Sequence, residues 1–551
     1  MMDMKANLSR RSFVKGFGVL SAAGLLGGGL ASCGSGGGSG SGAGSPSQVV
    51  IAMSPSSEPA AGFDPCVSWG CGEHVHEPLI QSTLITTDAD LRFQNDLAAD
   101  YSCTKDGMTW TFVLRDDATF SDGQPVTAAD VAFTVNTINA SDTAQADLSM
   151  IKEAVALDAV TVELRMAKPN NALLYTLAVL GIVPEHAYSA DYGAKPVGSG
   201  RYVLEQWDRG QQVIFAANPD YYGPAPLMER VIVVFMEEDA ALAAAKAGEV
   251  DIAYTSALLS SSVPEGYELF ECASVDSRGI SLPVLPSGSP ERVGMDGAEH
   301  PVGNDVTCDL AIRRALNYGV DRDAMIKNVL GGYGTPAFSV GDGMPWASED
   351  MEAKTDRDYA CKILEEGGWK VGSDGVRKKG GLRAAFDLLY ASGDSVRQAL
   401  AYEFANQMQE LGIQVTVKGG DWDTDLYPAQ FTTPILWGWG SNAPVELYEL
   451  TYSKGWGNVS SYFNDQVDQA LDAALAAPSV EESYQYYKRA QWDPETKTGV
   501  APQGAASWVW LANVDHLYFK RAQLEVAEQK PHPHGHGWSL ANNVDQWTWA
   551  K

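Results

Sequence analysis

Positive charge is scarce in this chain: 39 lysines and arginines stand against 70 aspartates and glutamates, a formal net charge of −31 at pH 7. A field of that sign repels polyanions, so nucleic acid is excluded as a partner. Histidine is rarer still, with 8 in 551 residues, and cysteine numbers 7. No Cys-x-x-Cys pair occurs, which leaves thiol redox chemistry and structural zinc without a motif. Also missing are a Gly-x-Ser-x-Gly elbow, a His-Glu-x-x-His pair, a phosphate-cradling Gly-x-x-x-x-Gly-Lys-Ser/Thr loop and a Cys-x-x-Cys-His haem site. Neither a catalytic constellation nor a resident cofactor is expected. Beyond the N-terminus no apolar run is long enough to span a bilayer.

What the N-terminus holds is an address. Arg10 and Arg11 precede a Gly/Ala/Leu-rich stretch from Gly16 to Ser32, the pattern of a twin-arginine export signal. Leu30-Ala31-Ser32-Cys33 then reads as a lipobox, with a lipid on Cys33 as the anchor. The apolar stretch falls short of the ~20 residues a spanning helix needs. Residues 1–33 are therefore expected to be signal peptide and attachment site, and the Gly/Ser-rich residues 34–47 a flexible tether. The body would sit outside the cytoplasm, anchored to the bacterial cell membrane as a lipoprotein.

That body exceeds the ~250–300 residues at which a single core stops growing, so at least two lobes are expected. Strand-like runs occur at Val49–Ala52, Thr109–Leu114, Ala159–Leu164, Val213–Phe215, Val231–Phe235 and Gln414–Val417. Between them lie helical patterns at Asp239–Ala247, Asp309–Tyr318, Asp321–Leu330, Asp356–Glu366, Ser395–Leu411 and Gln466–Ala476, most opening on a residue able to cap a helix. The fold class is α/β. Outside the cytoplasm the six cysteines after Cys33 are free to form disulfides, and Cys66 with Cys71 is the one pair close enough in sequence to single out.

Several segments carry a family resemblance, in order. Glu77-Pro78-Leu79-Ile80, Asp106-Gly107-Met108-Thr109-Trp110-Thr111-Phe112-Val113-Leu114-Arg115 and Phe120-Ser121-Asp122-Gly123-Gln124-Pro125-Val126-Thr127 come first. Pro196-Val197-Gly198-Ser199-Gly200-Arg201-Tyr202, Asn218-Pro219-Asp220-Tyr221-Tyr222 and Ile312-Arg313-Arg314-Ala315-Leu316-Asn317-Tyr318-Gly319-Val320-Asp321-Arg322 follow. Together they resemble the extracellular solute-binding proteins of family 5, which serve peptide and nickel ABC importers. The resemblance implies a two-lobed periplasmic-binding-protein-like fold with an extra subdomain and a ligand cleft between the lobes. It places lobe 1 at residues 48–275 with the subdomain at about 63–195, lobe 2 at 276–500, and a C-terminal segment, 501–551, returning to lobe 1. It implies capture of an oligopeptide or related polar small solute by hinge closure and delivery to permease subunits in the membrane, by a protein expected to be monomeric. The alternatives are a nickel or other metal-chelate binder of the same family, and a surface peptide sensor or enzyme on the same fold.

In peptide-binding members an aspartate shortly after a Trp-Gly segment pairs with the ammonium of the peptide. Here the matching stretch is Trp437-Gly438-Trp439-Gly440-Ser441-Asn442, with Ser441 and Asn442 where that acid would stand. Asp421, Asp423 or Glu446 are the candidate substitutes. Trp437 and Trp439 alternate and share one face of a strand, which makes them candidate cleft walls, and Trp69 is a candidate on the first lobe. Five histidines fall in two clusters, His74 with His76 and His532, His534 and His536, and His534 and His536 are the candidate metal contacts.

Overall fold

The computed structural model describes residues 47–68, 70, 71, 74–141, 143–535 and 537–550, the backbone alone over 70–75. The expectations for the export signal, Cys33, Trp69 and His536 lie outside the described residues. Two sheets organise the body. The first has seven strands in the order Tyr202–Asp208, Gln212–Ala217, Arg230–Phe235, Gln48–Met53, Ile252–Thr255, His516–Arg521, Tyr267–Cys272. Gln48–Met53 lies parallel to both neighbours, with Val49 opposite Val231 and Ile51 opposite Ile252. Its unbroken apolar run fits a strand covered on both faces, as parallel strands require.

The second sheet has six strands in the order Gly334–Pro336, Trp508–Val514, Ser277–Ser281, Ile435–Trp439, Ala385–Ala391, Gln414–Gly420. Helices expected from periodicity pack on it: Leu310–Gly319, Arg322–Val329, Arg357–Glu366 and Ser395–Glu410 start after Asp309, Asp321, Asp356 and Asp394, each carboxylate accepting from a backbone N–H of the first turn. A third sheet, of four antiparallel strands from Ala98–Cys103 to Thr161–Met166, packs with the helix Ala128–Asn139 around Phe112, Phe120, Val131 and Leu164. It forms the core of a subdomain beside the first lobe.

The chain passes between the two large sheets twice. Residues 273–276 join Tyr267–Cys272 to Ser277–Ser281, and Asp515 alone joins Trp508–Val514 to His516–Arg521. The return to the first lobe thus comes at 515 rather than 501, because Trp508–Val514 pairs along Ser277–Ser281 and belongs to the second sheet. Past that return, Trp538, Leu540, Val544 and Trp547 are buried in the first lobe's core. Trp538 Nε1 donates to the Ser57 carbonyl at 2.7 Å.

Before reaching that core, the C-terminal segment lies across the hinge as a strap. Val275 N donates to the His532 carbonyl and His532 N to the Ala273 carbonyl, both at 2.9 Å. Two residues on, His534 N donates to the Gly440 carbonyl at 2.8 Å, and Asn442 Nδ2 reaches the Pro531 carbonyl at 2.8 Å. Gly440 is obligatory there: its φ is +141°, and a Cβ would stand 1.8 Å from the Val275 carbonyl oxygen. Among the described residues no helix is long and apolar enough to cross a membrane.

Candidate functional site: the cleft between the lobes

A cavity of about 360 Å³ opens between the subdomain, the second lobe and the strap. Its walls are mostly apolar, with Leu91, Met150 and Val179 from the first lobe's side and Val445 and Trp456 from the second. A few polar groups converge on this apolar shell, the usual build of a small-molecule site. Ser441 and Asn442, expected where the family aspartate would stand, both line it, and so does His534.

The two tryptophans do not. Trp437 and Trp439 share a face as expected, with ring centroids 6.0 Å apart, but are only 3% and 4% exposed. They are middle rungs of a ladder in which Trp422 packs on Trp437 at 5.3 Å and Trp456 on Trp439 at 5.7 Å. Trp437 Nε1 is used up on Ser281 Oγ at 3.0 Å. The face they share is covered by the second lobe's own core, and the outer rung, Trp456, is the indole that meets the cavity. Nothing in the sequence marks Trp456, which follows a loop rather than an alternating strand.

The candidate replacement acids separate in the same way. Asp421 accepts from the Asp423 amide at 3.0 Å as the cap of a short helical turn, and neither of these acids lines the cavity. Glu446 does, with Oε2 accepting from Gly440 N at 2.6 Å. Glu449, one turn further along the helix Val445–Thr451, was not singled out by motif and also lines it. Burial, and then the nearby Asp147, push its carboxyl up to about 7 against the opposing Trp456 N–H and Lys168. The signal for it was the i, i+3 spacing from Glu446.

His534, a candidate metal contact, is committed elsewhere. Its Nδ1 lies 2.5 Å from Asp276 Oδ1 in a buried cluster that also holds Arg278 and His516. Arg278 comes within 3.3 Å of that ring, and a guanidinium there opposes a metal cation. Among the described residues no group of three His, Cys, Asp or Glu is placed to hold a metal ion. Cys66, expected to bridge to Cys71, is a buried free thiol whose pKa is pushed up to about 12 by burial and by Asp64, while the Cys71 side chain lies outside the described residues.

The model of the bacterial extracellular solute-binding proteins, family 5, matches residues 92–459. The chain belongs to that family. Protein XP55 of Streptomyces lividans is 34% identical over 457 residues, covering 79% of each chain. The oligopeptide-binding protein AppA of Bacillus subtilis is 24% identical over 439 residues, 75% of this chain and 77% of its own. Among solved structures, NikZ of Campylobacter jejuni in complex with Ni(L-His) superposes with a TM-score of 0.75 at 24% identity, covering 92% of this chain and all of that one. That likeness fixes the fold as a two-lobed periplasmic-binding-protein type. A family-5 protein binds peptide or another small solute outside the cytoplasm and works with an ABC permease.

Proposed function

We propose that this chain is the lipid-anchored solute receptor of an ABC importer, capturing a short peptide or related polar solute in the interlobe cleft, closing on it and passing it to the permease. The observation that carries this reading is a set of polar atoms in the cavity without partners in the protein. Tyr487 is fully buried and its hydroxyl has no hydrogen bond; the side-chain oxygens of Asn170 and Asn442 are likewise unmatched. Such groups cost about 1–3 kcal/mol each when left unsatisfied, a cost that a solute enclosed by the closing lobes can offset. A volume near the low end of the ~300–1,000 Å³ typical of small-molecule sites suits a short peptide. AppA and the glutathione-binding protein GsiB of Salmonella paratyphi A, 25% identical over 437 residues, carry names in the same chemical class.

The test is mass spectrometry of the solute that travels with the purified protein, followed by small-angle scattering with and without it. Because a ligand shifts the lobes only by binding the closed form more tightly, saturation must shrink the particle and raise its melting temperature. A shape unchanged at saturation would refute the clamp, and steady turnover of the solute would make the protein an enzyme on this fold.

The anchor rests on the lipobox alone and has its own test. Cys33→Ala is expected to move the protein from the membrane to the soluble fraction with its solute affinity intact, since the Gly/Ser-rich tether separates Cys33 from the body. Membrane retention of the Cys33→Ala protein would remove the lipoprotein claim.

A further inference from the structure

Half of the chain's histidines meet where the strap crosses the hinge. His516 follows Asp515 in the second crossing, and His532 and His534 lie on the strap. His76 comes from the first lobe, its ring set against the strap so closely that a Cβ on Gly535 would stand 2.6 Å from Cε1. Within this group His516 Nδ1 and His532 Nδ1 face each other at 3.1 Å.

The positions of the protons follow from the network around the two rings. An indole N–H can only donate, so the 2.9 Å contact from Trp547 Nε1 fixes Asn543 Oδ1 as an acceptor. Gln529 Nε2 donates to that same oxygen at 2.8 Å and to the Ala527 carbonyl at 3.0 Å, which leaves Gln529 Oε1 facing His532 Nε2 at 3.2 Å. His532 Nε2 therefore carries a proton. At the other end His516 Nε2 lies 3.1 Å from Asp276 Oδ2, a carboxylate oxygen that Arg278 NH2 also grips at 3.1 Å. His516 Nε2 carries a proton too. Between these ends, two bare lone pairs at 3.1 Å repel and so do two N–H groups, whereas one proton makes a hydrogen bond. Three protons on two imidazoles give the pair one positive charge.

The surroundings decide where that charge rests. Asp276 faces His516 from the first crossing, Asp515 precedes it with Glu271 alongside, and Cys272 stands opposite it on the neighbouring strand. His532 is 1% exposed and meets the Tyr518 ring at 6.4 Å. Burial, then His516 and His76, hold the His532 pKa well below the usual imidazole value. The charge thus belongs to His516, and His532 receives its N–H. Beyond them positive groups crowd His534: Arg278 NH1 is 3.3 Å from its Nδ1, and Arg397 NH2 and His534 Cε1 both come within 2.7 Å of the place a Cβ on Gly438 would take.

We propose that the His516–His532 pair is a proton latch, in which one shared proton ties the strap to the second crossing and its loss at raised pH releases the strap from the hinge. Pro533 and His534 line the interlobe cavity, so the latch sets how firmly that wall is held, whatever the solute. An imidazole of the unfolded chain loses its proton near pH about 6.5. A native pair that keeps one draws stability from it below that value and loses the contribution as pH rises through the release.

The experiment uses the whole mature protein and needs no solute. With histidine labelled in nitrogen-15, long-range proton–nitrogen spectra at pH about 7.5, above the ordinary imidazole range, distinguish the protonation states of each ring. His516 is expected to be doubly protonated and His532 protonated at Nε2 alone, each assigned by the signals missing from His516→Gln and His532→Gln. Two neutral rings at that pH would overturn the proposal. Deuterium exchange of residues 529–535, corrected for base catalysis, is the second reading. It is expected to quicken at least about tenfold as the pair loses its proton, the worth of one charge-assisted hydrogen bond. His516→Gln should show the quicker exchange at every pH, while the strand Ala385–Ala391 keeps its protection in both proteins, which a general loss of structure would not allow. Strap exchange that ignores the proton, or a His516→Gln strap held as in the native protein, would leave the proton without a latch and sink the idea. Should neither variant fold, the native pH series decides: a doubly protonated ring that titrates together with strap release supports the latch, and release unconnected with any ring overturns it.

Discussion

Asp276→Asn is expected to cost about 3–5 kcal/mol, the range for stripping a buried ion pair of one partner. Asp276 sits in the first crossing between the lobes with its side chain 5% exposed, and Arg278 grips both of its oxygens, NH2 to Oδ2 at 3.1 Å. His516 Nε2 reaches the same Oδ2 at 3.1 Å, and His534 Nδ1 the other oxygen at 2.5 Å. One carboxylate therefore ties the first crossing, the second crossing and the strap. The asparagine keeps the shape and loses the charge, leaving Arg278, 10% exposed, without that counter-ion. Burial works against the Asp276 charge, yet Arg278 and His534 hold its carboxyl well below the usual range. An acid held below its unfolded value stabilises the native state above that value, roughly pH 4, and the contribution fades as pH falls towards the folded one. Urea melts at neutral and acid pH check both parts: the variant should be weaker at neutrality and should lose less on acidification. Replacing Asp276 and Arg278 together by leucine should restore much of the loss, since no buried charge is then left alone. A loss below about 1 kcal/mol in Asp276→Asn would mean that water reaches the cluster and that the hinge does not depend on it.

Elements with strong local signals were legible in the sequence. The run Thr109–Leu114 is a strand at its expected bounds, and the patterns opening on Asp309, Asp321 and Asp356 begin helices there, because a capping carboxylate acts within one turn. Two long helices, Ala128–Asn139 and Val480–Gln491, carry no clean periodic stripe in the sequence. The first follows a loop and carries apolar residues on most sides, and in the second Tyr484, Tyr486 and Tyr487 blur the stripe. For the site, sequence position found the Ser441-Asn442 corner, but alternation along Ile435–Trp439 does not say which face a second layer covers. Trp422, Trp456 and the helix Val445–Thr451 cover it, and these contacts arise only in the folded lobe. The surroundings of the histidines arise in the same way: His516, 16 residues before His532, stands with its Nδ1 3.1 Å from His532 Nδ1, and Asp276, distant in sequence, claims His534.

The family motif around Arg322 was visible in the sequence, but its work was not. Arg322 opens a helix at the point where Asp321 caps it, and its guanidinium, 3% exposed, turns inward. Nε donates to the Ala337 and Trp510 carbonyls at 2.9 and 2.8 Å, and NH1 to Asn317 and Ala353 at 3.2 and 3.3 Å. Trp510 lies in the strand that ends at the second crossing, so one side chain pins that strand to the helix Leu310–Gly319 and to two loops. Burial lowers the Arg322 pKa to about 10, and the group stays charged at neutral pH. Arg322→Leu fills similar volume but abandons four carbonyls. At about 1–3 kcal/mol for each buried group left unsatisfied, less what leucine gains by costing nothing to desolvate, the expected loss is about 4 kcal/mol. It should appear in the second lobe, so that calorimetry resolves an early transition that the native protein lacks. Arg322→Lys should recover no more than half, because an ammonium offers its donors from one point and cannot span the fork. The comparison is Arg92→Leu, which breaks an exposed pair with Asp90 and should change stability by less than about 0.5 kcal/mol. If Arg322→Leu melts no earlier than Arg92→Leu, the carbonyls have found other donors, and the second crossing is held by its strand pairing to Ser277–Ser281 alone.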